Sequence, residues 1–418
     1  MEAMRYCVDG SWRRFDRVVV AGSPLRIFRL TAAGTSVATS IEAGEAVARS
    51  RLVDRLLDGG AIHPLPAEYG STTFTVDDVT IVTPQLGGDV ANDGRIVVDD
   101  GSRPALAGAT IRHVDNRGPA AARNSGRRLV DTPLVAFVDA DVTARAGWLE
   151  RLIGHFDDDR VGMVAPRVTG EAGSPLDLGD TPARVRSGSR VSYVPGAAVV
   201  VRTAAFDSIG GFDEGLRFGE DVDFVWRLDD AGWGCRYEPA STVRHTPRPT
   251  LAARLRQHAG YGTSAAPLGL RHPRALAPMV SNGWTAATWA LIGSGHPVAA
   301  LPLAVGSSAA LIPKLPDVPA GAAFGLAMRG HVGAARQIAH ALRREWWPIV
   351  AVVALVCRRG RWIALAAVLS DVRATPTDLA YGWGVWSGMR RHRTATPILP
   401  RLSAWPARRT HGGYGPRA

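Results

Sequence analysis

The segment VAFVDADVTARAGWLERL (residues 135–152) passes from an apolar strand pattern to two carboxylates and then to a helical pattern. Asp139 and Asp141 come directly after the apolar run LVAFV, one residue apart. In an open α/β sheet, ligands bind beyond the carboxyl ends of the strands, and a spacing of two places both side chains on one side of an extended segment. Paired carboxylates at such an edge suit Mg²⁺ or Mn²⁺, which take substrate phosphates as further ligands. A turn with two solvated aspartates is the alternative that this motif alone leaves open.

The sequence around this segment predicts that its strand belongs to a doubly wound sheet. From residue 79 onward, the short β-rich runs VTIVTP, RIVVDDGS, PLVAFVDAD and VGMVAPRV alternate with the helical patterns AAARNSGRRLV and AGWLERLIGHF. Strands that alternate with helices indicate a parallel sheet, and nearly continuous apolar strands are typical of sheets covered on both faces. The predicted fold class is therefore α/β, with the sheet domain at residues 71–265.

Residues 1–70 carry a different pattern. RVVVAGSPLRIFRLTAAG has two apolar runs separated by Gly-Ser-Pro, which predicts a β-hairpin. VARSRLVDRLLDGG has apolar residues at helical spacing and ends in two glycines. A hairpin with helices indicates a small winged-helix-like unit, joined to the sheet domain by the Pro- and Gly-bearing linker AIHPLPAEYGS.

The charge of this 418-residue chain is unevenly distributed. Residues 251–418 hold 20 Lys and Arg against four Asp and Glu, whereas residues 1–250 hold 29 against 34. The stretch 275–313 has no charged residue, and the apolar runs WWPIVAVVALVC and WIALAAVLS follow it. This pattern predicts an apolar helical, membrane-associated region at 266–390, with spans and in-plane helices both open, and a disordered basic tail at 391–418. A soluble helical domain that buries its apolar faces is the alternative.

Composition argues against several classes of protein. The three cysteines are far apart in the chain, so neither a disulfide framework nor a zinc site is expected, and a reducing cytosol fits. No secretory signal is expected. The pI of 10.4 raises the question of nucleic-acid binding. However, the basic excess lies among tryptophans and apolar runs, so a nucleic-acid partner is not expected.

Four motifs place polar residues at strand ends or helix starts. VVDDGS ends a second strand in two aspartates, and NRGPAAARNSG opens a helix. FGEDVDF carries a cluster of carboxylates, and VRHTP puts a histidine just after another strand. The residues that these motifs contribute are Asp99, Asp100, Gly118, Arg123, Asn124, Glu220, Asp221, Asp223 and His245.

In this order, the motifs of residues 79–250 resemble those of family-2 glycosyltransferases with the GT-A (nucleotide-diphospho-sugar transferase) fold. The resemblance implies that a nucleotide-diphospho-sugar donor contacts Pro84, Asp99, Asp100, Gly118, Arg123, Asn124 and Asp139. It implies that Mn²⁺ or Mg²⁺ is held by Asp139, Asp141 and His245, with Asp141 as the direct ligand. It also implies that Asp221 is the catalytic base and that Glu220 orients its loop.

The resemblance implies an inverting reaction. A positioned carboxylate takes the proton of the acceptor hydroxyl as its oxygen attacks C1 of the sugar, and the metal stabilises the departing diphosphate. Ordinary structural roles are the alternatives for two of these residues. Asp221 could be a helix-start carboxylate favoured by the helix dipole, and His245 could be a satisfied loop histidine.

Three further stretches, GSPLRIFRLTAAG, LVDRLLDGGAIHPLP and YGTSAAPLGLRHP, resemble the glycosyltransferases of mycofactocin biosynthesis. In that family, the N-terminal unit resembles a peptide-recognising module, and the acceptor is a redox cofactor made from a ribosomal peptide. The resemblance implies transfer of glucose from UDP-glucose to this peptide-derived acceptor or to its growing glycan. Access to a cytosolic nucleotide sugar places the enzyme at the cytoplasmic face of the membrane.

The segment TPQLGGDVANDG (residues 83–94) departs from the family pattern. Family members have a helix between the first strand and VDDGS, but here three glycines, a proline and the lack of apolar periodicity predict a bare loop. Twelve residues are also near the lower limit for a parallel crossover. The departure supports a rival function, that of a membrane-tethered binding protein with a decayed glycosyltransferase fold.

Overall fold

The computed structural model describes residues 3–66, 71, 73–91, 93–170, 176–246, 250–273 and 275–403. The chain forms two compact units, Met1–Pro249 and Thr250–Ala418. Residues 1–70 share a unit with the central sheet. The predicted domain boundaries after residues 70 and 265 stay predictions.

The N-terminal part of the first unit has two small sheets and two helices. Its elements are β1 (Tyr6–Val8), β2 (Arg13–Phe15), β3 (Val18–Ala21), β4 (Arg26–Arg29), α1 (Ala32–Glu42), α2 (Arg51–Asp58) and β5 (Ile62–Pro64). Strands β2, β3 and β4 form an antiparallel meander, which contains the predicted hairpin, and β1 pairs with β5. The side chains of Thr31 and Ser50 cap the two helices by accepting hydrogen bonds from the backbone N–H groups of Gly34 and Val53. The winged-helix assignment stays a prediction.

Ion pairs fasten this part to the remainder of the first unit. Arg49 of the N-terminal part lies 2.9 Å from Asp158. In the other direction, Arg160 lies 2.9 Å from Asp54 of the N-terminal part. The two parts consequently form one packed body, although their strands belong to different sheets.

A nine-stranded mixed sheet forms the centre of the first unit. Its strands are β6 (Val79–Gln85), β7 (Ile96–Asp100), β8 (Ile111–His113), β9 (Leu134–Val138), β10 (Val142–Ala144), β11 (Val161–Thr169), β12 (Ala183–Arg184), β13 (Ala198–Arg202) and β14 (Gly234–His245). The order is β10-β14-β11-β13-β9-β6-β7-β8, and β12 pairs with β14. The parallel pairs are β6–β7, β7–β8, β6–β9 and β11–β14. The predicted α/β fold class is confirmed. The antiparallel strands β10, β12 and β13 make the sheet mixed, whereas the alternation of strands and helices indicated a parallel one.

The helices of this part are short, and the sheet core is apolar. They are α3 (Pro119–Arg127), α4 (Glu150–Ile153), α5 (Thr203–Ser208) and α6 (Glu220–Asp230). Strand β9 is buried at every position, as its unbroken apolar sequence predicts. Between β6 and β7, the described residues form no helix, so the predicted loss of the crossover helix is confirmed.

The second unit is mainly helical. Its elements are α7 (Leu251–Thr263), α8 (Ala265–Arg271), β15 (Val280–Asn282), α9 (Gly283–Gly293), α10 (Pro297–Ala309), α11 (Ala320–Arg343), α12 (Trp347–Val356), α13 (Arg358–Ser370), α14 (Thr375–His392) and β16 (Arg401–Ser403). Helices α7 and α14 pack so closely that a Cβ at Gly384 would lie 1.9 Å from the carbonyl oxygen of Ala259. Strand β16 pairs with β15. The predicted disordered tail therefore does not begin at residue 391, and residues 404–418 lie outside the described part.

Candidate active site

The carboxyl ends of five strands meet at one edge of the central sheet. Strands β6, β7 and β9 are parallel, and β11 and β14 run in the same direction because β13 is antiparallel to both β9 and β11. Asp139 follows β9, Asp100 ends β7, and His245 ends β14. This common edge is where an open α/β sheet binds its ligands.

Asp141 and His245 are neighbours at this edge. Strand β10 pairs with β14 so that Val142 lies opposite His245, and the backbone N–H of Thr246 donates to the carbonyl oxygen of Asp141. The imidazole Nε2 of His245 thereby lies 3.4 Å from the carboxylate Oδ2 of Asp141. The structure thus brings together two residues that are far apart in the chain and that the sequence assigned to one metal site.

The residues at this position fit a divalent metal ion. Carboxylate oxygen and imidazole nitrogen are ligands that Mn²⁺ accepts, and the Asp141 side chain is 38% exposed, so it is accessible from the solvent. Within the described residues, no group of three or more His, Cys, Asp or Glu could hold a metal. The chain therefore offers two ligands here, and water and donor phosphates would complete the coordination sphere.

Arg123 lies beneath the site between two carboxylates. Its guanidinium donates to Asp139 Oδ1 over 2.7 Å and to Glu220 Oε1 over 2.9 Å, and its side chain is only 2% exposed. Burial opposes the positive charge, but Asp139 and Glu220 outweigh it and raise the pKa of Arg123. The resemblance assigned Arg123 to the donor, whereas the structure shows it joining the DxD motif to the start of α6.

Gly196 connects Arg123 to Asp221. The carbonyl oxygen of Gly196 accepts a hydrogen bond from Arg123, and its backbone N–H donates to Asp221 Oδ2 over 2.9 Å. A Cβ at this position would lie 3.2 Å from both Arg123 Nη2 and Asp221 Cβ, so a glycine permits the close approach. Sequence analysis missed Gly196, whose one signal is a glycine just before a buried strand. Asp221 itself is partly exposed, which leaves it accessible to an acceptor.

The other two carboxylates in the first turn of α6, Glu220 and Asp223, are buried. Asp223 is 1% exposed and accepts from Arg227 one turn later, so it stabilises the start of the helix. The pKa of Glu220 rises to about 7 because the carboxyl is buried and faces the charge of Asp221, although Arg123 opposes the shift. Glu220 therefore holds a proton at a pH where an exposed glutamate does not.

We expect Glu220→Gln to change how stability depends on pH. In native protein the pKa of Glu220 is about 7 instead of 4.5, so the native state binds more protons between these values and loses stability as the pH rises through them. The variant lacks this loss. Its free energy of unfolding relative to the wild type should rise between about pH 5 and about pH 8, by up to about 3 kcal/mol. Urea unfolding at both pH values measures this difference in the free energy of unfolding between variant and wild type. Glu150→Gln, at an exposed position, is the control. A difference that is the same at both pH values contradicts the prediction.

Two predicted donor residues, Asp99 and Asp100, point into the fold. Asp99 is fully buried and accepts from the backbone N–H groups of Ser102 and Leu106, which lower its pKa against the effect of burial. Asp100 is 4% exposed and accepts from the backbone N–H of Gly118 over 2.7 Å. Both carboxylates thus shape the loops around the predicted nucleoside pocket, and their contact with a nucleoside stays a prediction.

A buried hydrogen-bonded chain, which sequence analysis missed, extends from Asp100. His113 Nδ1 lies 2.7 Å from Asp100 Oδ1, and His113 Nε2 lies 3.0 Å from Ser125 Oγ. The residue types match a hydrolase triad, but Ser125 is only 6% exposed and cannot reach a substrate. The chain instead fixes α3 against β7 and β8.

The remaining predicted donor residues differ in position. Pro84 lies on β6 opposite Val98 and is partly exposed. Gly118 has φ 97°, which favours glycine, and it precedes α3. Asn124 brackets the backbone of Phe212, donating to its carbonyl oxygen and accepting from its N–H. Asn124 therefore positions the loop before α6.

This arrangement of a DxD edge, a strand-end histidine and an acidic helix start agrees with comparisons to known proteins. The Glycosyl transferase family 2 model matches residues 91–181. The chain is 36% identical to the pre-mycofactocin glycosyltransferase of Mycobacterium tuberculosis over 96% of both chains. It is also 43% identical over 56 residues, 13% of its length and 18% of the relative's, to the N-acetylglucosaminyl-diphospho-decaprenol L-rhamnosyltransferase of that organism.

The chain therefore belongs to the family-2 glycosyltransferases. Within that class it is a glycosyltransferase of the mycofactocin type, as the full-length similarity shows. Among solved structures, the mannosyltransferase PcManGT from Pyrobaculum calidifontis, in complex with GDP-Man and Mn²⁺, is 16% identical with a TM-score of 0.44, covering 78% of this chain and 89% of that one. TarS of S. aureus is 17% identical with a TM-score of 0.34, covering 62% of this chain and 91% of that one.

Proposed function

We propose that this chain transfers glucose from UDP-glucose, with inversion, to a hydroxyl of a peptide-derived, mycofactocin-type redox cofactor or its growing glycan, with Mn²⁺ or Mg²⁺ bound. One observation carries the proposal. A candidate metal pair, Asp141 and His245, and a partly exposed carboxylate, Asp221, lie on elements joined through Arg123 and Gly196. The full-length similarity to the M. tuberculosis pre-mycofactocin glycosyltransferase supports the acceptor.

The geometry divides the reaction among the residues of this edge. Asp141 and His245 would hold the metal, which when bound stabilises the negative charge of the departing diphosphate. Asp221 accepts the proton of the acceptor hydroxyl as the hydroxyl oxygen attacks C1. The N–H of Gly196 fixes the Asp221 carboxylate for this step. A single displacement by an oxygen on the face opposite the diphosphate inverts the anomeric centre.

We expect Asp141→Ala and His245→Ala each to weaken metal-dependent donor binding by at least about tenfold, because each removes a ligand from a two-ligand protein site. Calorimetric titration of the enzyme with Mn²⁺, in the presence of UDP-glucose, measures the change. Matched controls are Asp159→Ala and His296→Ala, both exposed and outside this edge. Unchanged metal dependence in His245→Ala would show that this histidine is not a metal ligand. Unchanged dependence in Asp141→Ala would show that the metal binds elsewhere.

The rival function, a binding protein with a decayed glycosyltransferase fold, is favoured only by the helix-less connection between β6 and β7. The assembly of Asp141, His245 and Asp221 argues against it, because a decayed site has no need to keep these groups in register. Hydrolysis of UDP-glucose with Mn²⁺ present separates the two functions. No turnover, together with tight binding of the peptide, would support the rival.

We further propose that the enzyme works at the cytoplasmic face of the membrane, in reach of cytosolic UDP-glucose. The excess of arginine in residues 251–418 suits anionic headgroups. Among the described residues, one stretch, Pro297–Lys314, is long and apolar enough to cross a bilayer by length and composition, and only 17% of it is buried. A mostly exposed stretch of this kind is unlike the buried core helix of a soluble domain.

A further inference from the structure

Two helical hairpins of the second unit meet at their turns. The turn between α9 and α10 contains Ser294 and Gly295, and the turn between α12 and α13 consists of Cys357. The guanidinium of Arg359 donates to the carbonyl oxygen of Ser294 over 2.6 Å and packs on Gly295. The two turns therefore form one end of this unit.

Large apolar side chains on both hairpins, within six residues of Gly295 or Arg359 along the chain, are exposed. Val298 is 86% exposed, Leu355 is 79% exposed and Val356 is 77% exposed, values that surface valines and leucines reach only when nothing packs on them. We call this set the hairpin-tip surface, and its members are Ile292, Val298, Leu301, Leu355, Val356 and Trp362. Exposed apolar patches of this kind mark interaction surfaces.

The charge around this surface is positive. Arg358 and Arg361 lie on the first turn of α13 and are exposed. Two of the four carboxylates of residues 251–418, Glu345 and Asp378, have side chains only 13% and 11% exposed, so they do little to balance it. An apolar surface rimmed by arginine, with a tryptophan such as Trp362, is the composition that binds the interface of an anionic bilayer.

The lengths of the helices favour docking over spanning. Helices α10 and α13 have 13 residues each and α12 has 10, which correspond to roughly 20 Å and 15 Å at 1.5 Å per residue. The hydrocarbon core of a bilayer is about 30 Å thick. Pro302 also interrupts α10. Helices α12 and α13 fall well short of that thickness, and α10 approaches it only together with the residues that extend it to Lys314. Helices lying in the interface need no such length.

We infer that the hairpin-tip surface docks on an anionic lipid bilayer, with its apolar side chains in the interface and its arginines at the headgroups. This inference rests on the proposed membrane location and names the surface responsible. A second copy of the chain is a poorer occupant. A twofold contact through this surface would bring the arginines of both copies into one interface, where their like charges repel.

Co-sedimentation of the full-length protein with vesicles tests the inference. We expect binding to vesicles of phosphatidylglycerol and phosphatidylcholine, weaker binding to phosphatidylcholine alone, and a decrease with salt. The variant Leu355→Glu/Val356→Glu should bind at least about tenfold more weakly, because two carboxylates replace inserted apolar groups. The variant Arg358→Gln/Arg361→Gln should lose mainly the preference for phosphatidylglycerol and the salt dependence. Leu129→Glu is the control, since Leu129 is 49% exposed in the first unit.

The outcomes separate the docking surface from the proposed chemistry. Each variant is also assayed with UDP-glucose and a soluble acceptor, where the docking variants should match the wild type. Wild-type protein that is active but does not bind vesicles would overturn the docking surface and leave the proposed function intact. Full vesicle binding by Leu355→Glu/Val356→Glu would also overturn it. So would a dimer in light scattering that the same substitutions dissociate, because a second copy would then be the occupant.

Discussion

We expect Asp221→Asn to lower the rate of sugar transfer by about 100-fold or more and to leave UDP-glucose binding intact. An amide cannot accept the proton that the acceptor hydroxyl releases as it attacks C1. The Asp221 carboxylate is held by the N–H of Gly196 and is partly exposed. Asparagine has nearly the same shape and retains a carbonyl oxygen for that hydrogen bond, so the loop should keep its position.

Two measurements separate a base from a residue that only shapes the site. Initial rates give kcat and KM, and calorimetry with Mn²⁺ gives the affinity for UDP-glucose. The loss should fall on kcat, because the interaction removed acts in the transition state. Asp223→Asn is the matched control two residues further along the helix, since Asp223 is buried against Arg227 and does not face the solvent. A near-normal rate in Asp221→Asn would remove this residue from the role of base.

The ligand-binding edge of the sheet could be predicted from the sequence only in part. The sequence correctly predicted polar residues at the carboxyl ends of apolar strands, because strand direction and burial follow from local pattern. It could not predict that Val142 pairs with His245, since register between distant strands depends on the whole sheet. The contact of Asp141 with His245 therefore needed the structure.

Residue type alone did not reveal the hydrogen bonds that three predicted donor residues make within the fold. Asp99, Asp100 and Asn124 were assigned to the donor, and the structure shows all three making hydrogen bonds to backbone groups of neighbouring loops. A carboxylate at a strand end can bind a ligand or can satisfy loop N–H groups, and both uses give the same motif. Gly196 was missed for the opposite reason, because its function depends on two side chains distant in sequence.

Composition also limited what could be said of the second unit. The long run without charge, residues 275–313, predicted an apolar helical region, and helices occupy most of it. Which apolar residues face outward depends on how the helices pack. Helices α11 and α14 are joined by the buried ion pair between Arg343 and Asp378, whose atoms lie 3.0 Å apart. A hydropathy pattern cannot predict this ion pair, yet the ion pair helps determine which helix faces remain exposed.

Removing Arg123 should have a large effect on stability. In Arg123→Met, Asp139 and Glu220 lose the cation between them, and breaking a buried ion pair costs about 3–5 kcal/mol. The Asp139 side chain is 32% exposed, so solvent screens its share, and we expect the lower end of that range. Glu220 has a pKa of about 7 and can take up a proton instead. The loss of stability should therefore be smaller at about pH 6 than at about pH 8.

The same variant should weaken donor binding, because Arg123 positions two parts of the site. It binds Asp139, two residues before Asp141, and it binds the carbonyl oxygen of Gly196, whose N–H holds Asp221. Both KM for UDP-glucose and kcat should therefore suffer. Arg123→Lys keeps the charge but loses the forked geometry, and should recover stability more than activity. Arg123→Met/Glu220→Gln should recover part of the stability and little of the activity, because it removes one unpaired carboxylate without restoring the link to Gly196. If Arg123→Met unfolds like the wild type and binds UDP-glucose with unchanged affinity, the DxD motif and the base are held in place by other contacts.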